Sequence, residues 1–195
     1  SSAYSGGITI KSPLEMNAMR RAGEVVSATL AVLRGSVRPN VTTGELDAIA
    51  ERTIRGLGAQ PAFKGYRGFP CSICASVNEE IVHGIPGERI LRQGDLLKID
   101  VGAVVDGFIG DAAITVGVGA ISDQAADLIE VTSLSLDQGI KASREGARVG
   151  DIGAAIQGFV EGRGYSIVRE YVGHGIGRDL HEDPQIPNYG FRSNK

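Results

Sequence analysis

The chain has 195 residues, 42% of them hydrophobic and 22% charged, the size and balance of one globular domain that can bury a core without disulfides or a structural metal. Twenty Lys and Arg against 23 Asp and Glu give a net charge of −3, with the signs interleaved and no basic block, which argues against nucleic acid as a partner; the absence of Trp and an aromatic share of 5% also leave few rings for base stacking. No apolar run approaches the roughly 20 residues that span a bilayer, and the opening SSAYSGG lacks the basic-then-apolar order of a secretory signal, so residues 1–11 read as an N-terminal extension.

Ser12, Pro13 and Glu15 read as an N-cap, a first-turn proline and a capping-box partner. They predict a helix with Met19, Ala22, Val26, Leu30 and Leu33 on one face. Thr42 and Glu45 repeat the capping signature ahead of a second apolar stripe, Leu46, Ile49, Ala50, Ile54 and Leu57, with Gly58 as the C-terminal cap. From Cys71 the period changes to two, as in a half-buried strand. Cys71 and Cys74 form a lone CSIC with no further ligands at zinc spacing. The motif leads into a strand, which also argues against a redox pair at the start of a helix, so both read as small buried residues. Leu97, Ile99 and Val101 continue the alternation up to Asp106-Gly107, a preferred hairpin turn, and Phe108 to Val118 returns as the partner strand. Ser122 opens a long helix through Leu128, Ile129, Leu136 and Ile140. Another helix runs from about Asp151, with Ile152, Ala155, Ile156 and Phe159 on one face, and Ser166 to Val172 reads as a strand. The order of elements is that of an α+β fold. Glycine is abundant, 28 residues, but without a collagen-like period, so it acts locally.

The hairpin fixes a register. With a two-residue loop at Asp106-Gly107, Val105 opposes Phe108, Asp100 opposes Ala113 and Gly102 opposes Asp111, which puts Asp100 and Asp111 on one face, a diagonal step apart. Either both face water, or a cation joins them, since two close carboxylates without solvent repel one another. The small residues Gly102, Gly110, Ala112 and Ala113 clear space around the pair and favour a shared metal. Two of the three histidines, His174 and His181, lie in VGHGIGRDLHEDP, whose glycines have the wrong spacing for a dinucleotide fingerprint. His174 between two glycines can approach a ligand, and a His with two cofacial Asp makes an oxygen-and-nitrogen site suited to Mn, Fe, Co or Zn. The third, His83, sits in SVNEEIVHGIP before a Gly-Ile-Pro turn, compatible with substrate contact and equally with a plain turn.

Together SVNEEIVHGIP, KIDVGAVVDGFIGDAA and GHGIGRDLHEDPQIPNYG resemble the bacterial type I methionine aminopeptidases, in the right order and from the first helix to the end. The resemblance implies a single catalytic domain over residues 1–195 with the α+β pita-bread (creatinase/aminopeptidase-like) fold. It also implies a cytoplasmic, monomeric hydrolase that removes the initiator methionine from nascent proteins with a small second residue. Its partners would be nascent polypeptide N-termini, at the ribosome, with no direct nucleic-acid or membrane binding. Asp100, Asp111 and His174 are then metal ligands for two divalent ions (Co, Mn, Fe or Zn), with Asp111 bridging. His83 and His181 match the histidines that contact substrate and stabilise the tetrahedral centre, and Phe63, Tyr66, Phe69, Cys74 and Leu180 fall where the family lines its methionine pocket.

One departure shapes the expectation. The family's other two ligands are glutamates beyond the GHG motif, and this sequence ends at Lys195, in the loop after HEDPQIPNYG. Glu182 is already matched beside His181, and Glu170 precedes the motif. About two protein ligands per ion is fewer than the three of catalytic sites, so the sequence reads as a C-terminally truncated pita-bread fold with weak or partial metal occupancy and poor catalysis. The alternative from another class is a catalytically silent pita-bread module that binds a peptide or the ribosome. A proline peptidase is a third reading, against which SVNEEIVHGIP argues.

Overall fold

Residues 7–190 are described by a computed structural model; the first six residues of the predicted extension lie outside the described residues. The chain divides into two compact units, Ile10–Ser122 with Ile176–Leu180, and Asp123–Gly175 with the stretches up to Thr9 and from His181.

In the first unit, α1 (Pro13–Ser36) and α2 (Thr43–Gly56) each start on the predicted capping box. The Ser12 N–H donates to Glu15 Oε2 at 2.9 Å and that of Thr42 to Glu45 Oε2 at 2.7 Å, which satisfies donors that a helix start otherwise leaves orphaned. The strands are β1 (Gln60–Pro61), β2 (Ile73–Val77), β3 (Leu96–Val105) and β4 (Phe108–Gly117). All pairings are antiparallel: β3 is the centre, with β4 along one side and β1 and β2 along the other. Asp106 at φ 50° and Gly107 at φ 76° make the two-residue turn, the left-handed pair that a type I′ hairpin demands.

Alternation sorts the sheet into two faces. Ile73, Ala75, Val77, Leu97, Ile99 and Val101 join Leu33, Leu46, Ala50 and Ile54 of the helices in one core, and each fully buried Leu, Ile or Val contributes about 1.5–3 kcal/mol. Cys74 and Val104 belong instead to a separate apolar cluster. Contrary to the half-buried strand expected, all five residues of β2 are buried. Cys74 is covered by that second cluster, and Ser76 accepts the Gly84 N–H. Leu57 also departs from expectation: α2 ends at Gly56, the turn into Gly58 (φ 77°) rotates the side chain outward, and it is 51% exposed.

The outward N–H groups of β2 are all occupied by the chain itself. Ile73 donates to Asp47 Oδ1, Ala75 to the Gly84 carbonyl and Val77 to Glu80 Oε2, at 2.8–3.0 Å.

In the second unit, α3 (Asp123–Ala142) packs on α4 (Val149–Glu161). The buried line of α3 is Val131, Ser135 and Gly139, while Leu128, Leu136 and Ile140 are exposed. Small residues let the helices close, with Gly139 against Ile156. The predicted strand Ser166–Val172 does not form. β5 spans only Gly173–Gly175 and pairs with β6 (Glu182–Ile186), with a register step between His174 and Gly175, and among the described residues no strand pairs with Ser166–Val172.

Gly110 marks where α1 presses on β4. A Cβ there would lie 2.8 Å from the backbone of Ala22 and Gly23, and backbone cannot step aside as a side chain can. Gly110→Ala is expected to lower unfolding free energy by about 1–3 kcal/mol, read as a shifted urea midpoint at unchanged slope.

Candidate functional site

The hairpin register matches the sequence arithmetic residue for residue: Val105 faces Phe108, Asp100 faces Ala113 and Gly102 faces Asp111. On the other side of β3, Cys74 faces Asp100. Cys74, Asp100, Gly102, Val104, Ile109 and Asp111 therefore share the face away from the α1/α2 core.

Asp100 and Asp111 interact directly. Burial, then the Asp111 charge, then a hydrogen bond with the Asp111 carboxyl push Asp100 up to about 8 from an ordinary 3.8, against a smaller lowering by the Val101 N–H. Asp100 Oδ1 is buried and accepts no hydrogen bond. A buried acceptor without a donor is costly, and a pair of carboxylates that cannot both ionise calls for a cation. The donor chemistry fits a divalent ion: hard oxygens, one of them orphaned. Among the described residues no group of three or more His, Cys, Asp or Glu side chains assembles that could hold one.

Beside the pair lies an apolar cluster. Phe63, Cys74, Ile109 and Leu180 are buried together, and Tyr66, Phe69, Ala62, Val104 and Ile176 pack against them. All five residues that the resemblance assigns to a pocket thus meet in one place. Leu180 reaches it because the Ile176–Leu180 segment is tied to β4, with the Ile109 N–H donating to the Gly177 carbonyl at 2.8 Å. Cys74 is held as a neutral thiol, pushed up to about 12 by burial and then by the charges of Asp100 and Asp111.

The loop carrying His83 is pinned to β2. The Gly84 N–H donates to Ser76 Oγ and the Gly84 carbonyl accepts from Ala75, both at 2.9 Å. A Cβ on Gly84 would sit 2.2 Å from the Ala75 oxygen, so only glycine allows this approach. His83 itself adopts φ 62° and is exposed; it belongs to neither the carboxylate pair nor the apolar cluster.

In the other unit His174 and His181 stand side by side, ring centroids 4.3 Å apart at 42°. His174 Nδ1 lies 2.9 Å from the Gly175 carbonyl. A carbonyl can only accept, so in this contact Nδ1 carries the proton and, in the neutral ring, the free lone pair is on Nε2. His174 stands on strand β5 itself, not beyond a strand as the sequence reading has it. Glu182, also matched by sequence, accepts from Thr9 Oγ1.

Val104, Ile109 and Ile176 escaped the sequence reading of the site, whereas Gly102 is already read there as open space beside the aspartates. The alternation that puts Asp111 on its face also puts Ile109 there, so that residue was within reach of the same arithmetic.

The family model described as Metallopeptidase family M24 matches residues 17–195. Methionine aminopeptidase 1 of Bacillus subtilis is 54% identical over 183 residues, 94% of this chain and 74% of the relative. Among solved structures, a methionine aminopeptidase from Thermotoga maritima superposes with TM-score 0.94 at 42% identity, covering 96% of this chain and 76% of the other. A prolidase from Pyrococcus furiosus, at TM-score 0.82 and 22% identity over 95% of this chain and 54% of its own, shares the fold. A carboxylate pair on a central hairpin, a pinned His-Gly loop and a GHG strand thus sit in a chain that belongs to metallopeptidase family M24, among the methionine aminopeptidases of pita-bread fold.

Proposed function

We propose that this chain removes the N-terminal methionine from nascent polypeptides with a small second residue, at the ribosome and in the cytoplasm. Its metal ligands in this reading are Asp100, Asp111 and His174. The observation that carries the reading is the buried, orphaned oxygen of Asp100, one strand from Cys74 of the apolar cluster. Divalent ions bound there would lower the pKa of water toward about 7 and polarise the scissile carbonyl.

The chain's own residues do the rest. Phe63, Tyr66, Phe69, Cys74 and Leu180 take the methionine side chain, whose unbranched thioether suits aromatic and sulfur neighbours. A neutral Cys74 thiol suits that role, since a thiolate would bring charge against the aspartates. His83 and His181 donate hydrogen bonds to the peptide carbonyl oxygen as it gains charge. Asp100 is a better ligand once it has lost its proton, which its raised pKa of about 8 lets it hold. With no group of three ligating side chains among the described residues, the ions are held weakly.

Calorimetric titration with Mn is expected to give a dissociation constant no tighter than about micromolar, and Asp111→Asn to weaken it at least tenfold. The chain should release Met from Met-Ala-Ser only with added metal and leave X-Pro dipeptides intact. Peptide binding that ignores chelator and survives replacement of both aspartates would instead make it a silent binding module.

The carboxylate pair also sets a pH dependence in chelated protein. Folded Asp100 holds a proton that the unfolded chain releases near its ordinary value of 3.8, so the folded state binds more protons between there and about 8. Stability accordingly falls as pH rises through that window. Thermal midpoints of the chelated chain should drop from pH 5 to 8, and Asp100→Asn should flatten the slope.

A further inference from the structure

Gly102 lies directly across the ladder from Asp111, and it has no backbone need for glycine, since its φ is outside the left-handed region. What glycine provides there is empty space. A Cβ on Gly102 would stand 2.5 Å from Phe63 Cε1, 3.0 Å from Cδ1 and 3.0 Å from Ala62 Cβ. The Cδ1–Cε1 edge of the Phe63 ring thus occupies the place on β3 where any other residue would put a side chain. It cannot swing aside freely, because the Ala62 N–H donates to the Gly102 carbonyl at 2.9 Å and Phe63 is 7% exposed, buried against Cys74, Ile109 and Leu180.

We infer that Gly102 is a specificity-positioning residue: by letting the edge of the Phe63 ring close onto β3 beside Asp111, it sets how long a side chain the apolar cluster accepts. The inference rests on the proposed methionine pocket. A methyl at 102 would lift the ring by more than half an ångström at the Cε1 edge, toward the space the substrate side chain fills. The pocket would become shallower, with neither carboxylate altered. Cores resist such insertions but accept a compensating loss across the contact, so a residue without the Cε1 atom at 63 should restore the depth.

The test measures binding of L-methioninamide, L-alaninamide and the one-methylene-longer L-ethioninamide to the full chain with zinc present, through the methyl NMR signals of Ile109 and Leu180. Gly102→Ala is expected to weaken methioninamide about tenfold, the usual effect of one methylene in an apolar pocket, and to change alaninamide less than twofold. Adding Phe63→Leu should recover most of the loss. Phe63→Leu alone, which needs no tolerance of a methyl at 102, should improve ethioninamide relative to methioninamide at least threefold. Equal methioninamide binding by the wild type and Gly102→Ala, or an unchanged ethioninamide ratio in Phe63→Leu, overturns the inference while leaving the pocket in place. A wild-type chain that does not distinguish methioninamide from alaninamide overturns the pocket assignment, and the inference with it.

Discussion

Two carboxylates held together on one face of a hairpin are the constraint around which the first unit is arranged. Asp100 and Asp111 come from adjacent strands whose nearest neighbours on that face, Gly102, Val104, Ile109 and Ala113, are small or apolar, and the strands keep them a diagonal step apart. A protein built only for stability would avoid this, because removing either charge relieves repulsion and desolvation at once. The opposite face of the same strands supplies the compensation: Ile99, Val101 and Leu97 are fully buried under α1 and α2. One ladder therefore carries both a strongly apolar core and a destabilising polar pair, and the alternation of a strand keeps the two from mixing.

Much of this was readable from the residues. The two capping boxes are local chemistry, complete within four residues, and the hairpin register follows from a turn whose Asp-Gly pair tolerates left-handed backbone at both positions. Once the turn is placed, every pairing up to Leu96 and Gly117 is counting. What was not legible has a common cause. Ser166–Val172 has strand composition, but a strand exists only with a partner, and partner choice is not local. The helix through Leu128, Leu136 and Ile140 forms as read, but the sequence reading assigns it no buried face, and α3 buries Val131, Ser135 and Gly139 where α4 comes close. Hydrophobicity could not reveal a stripe chosen for smallness.

The site divides the same way. The aspartate pair came from register arithmetic, whereas the meeting of Phe63, Cys74 and Leu180 required residues up to 117 apart in sequence to converge, and only the resemblance of motifs indicated it. Gly102 is harder still, since its contribution is the absence of atoms. The Asp-Gly pair marks Gly107 as a turn residue and the register marks Gly102 as space beside the aspartates, but neither says that the edge of the Phe63 ring fills that space.

The capped edge of β2 has its own consequence. An exposed strand edge ordinarily invites any extended chain to add to the sheet through main-chain hydrogen bonds, indifferent to side-chain identity. Here Asp47, Glu80 and the Gly84 carbonyl already occupy the N–H groups of Ile73, Val77 and Ala75. A foreign peptide finds no donors along β2, so that border of the sheet cannot grasp polypeptides by their backbone in mid-chain.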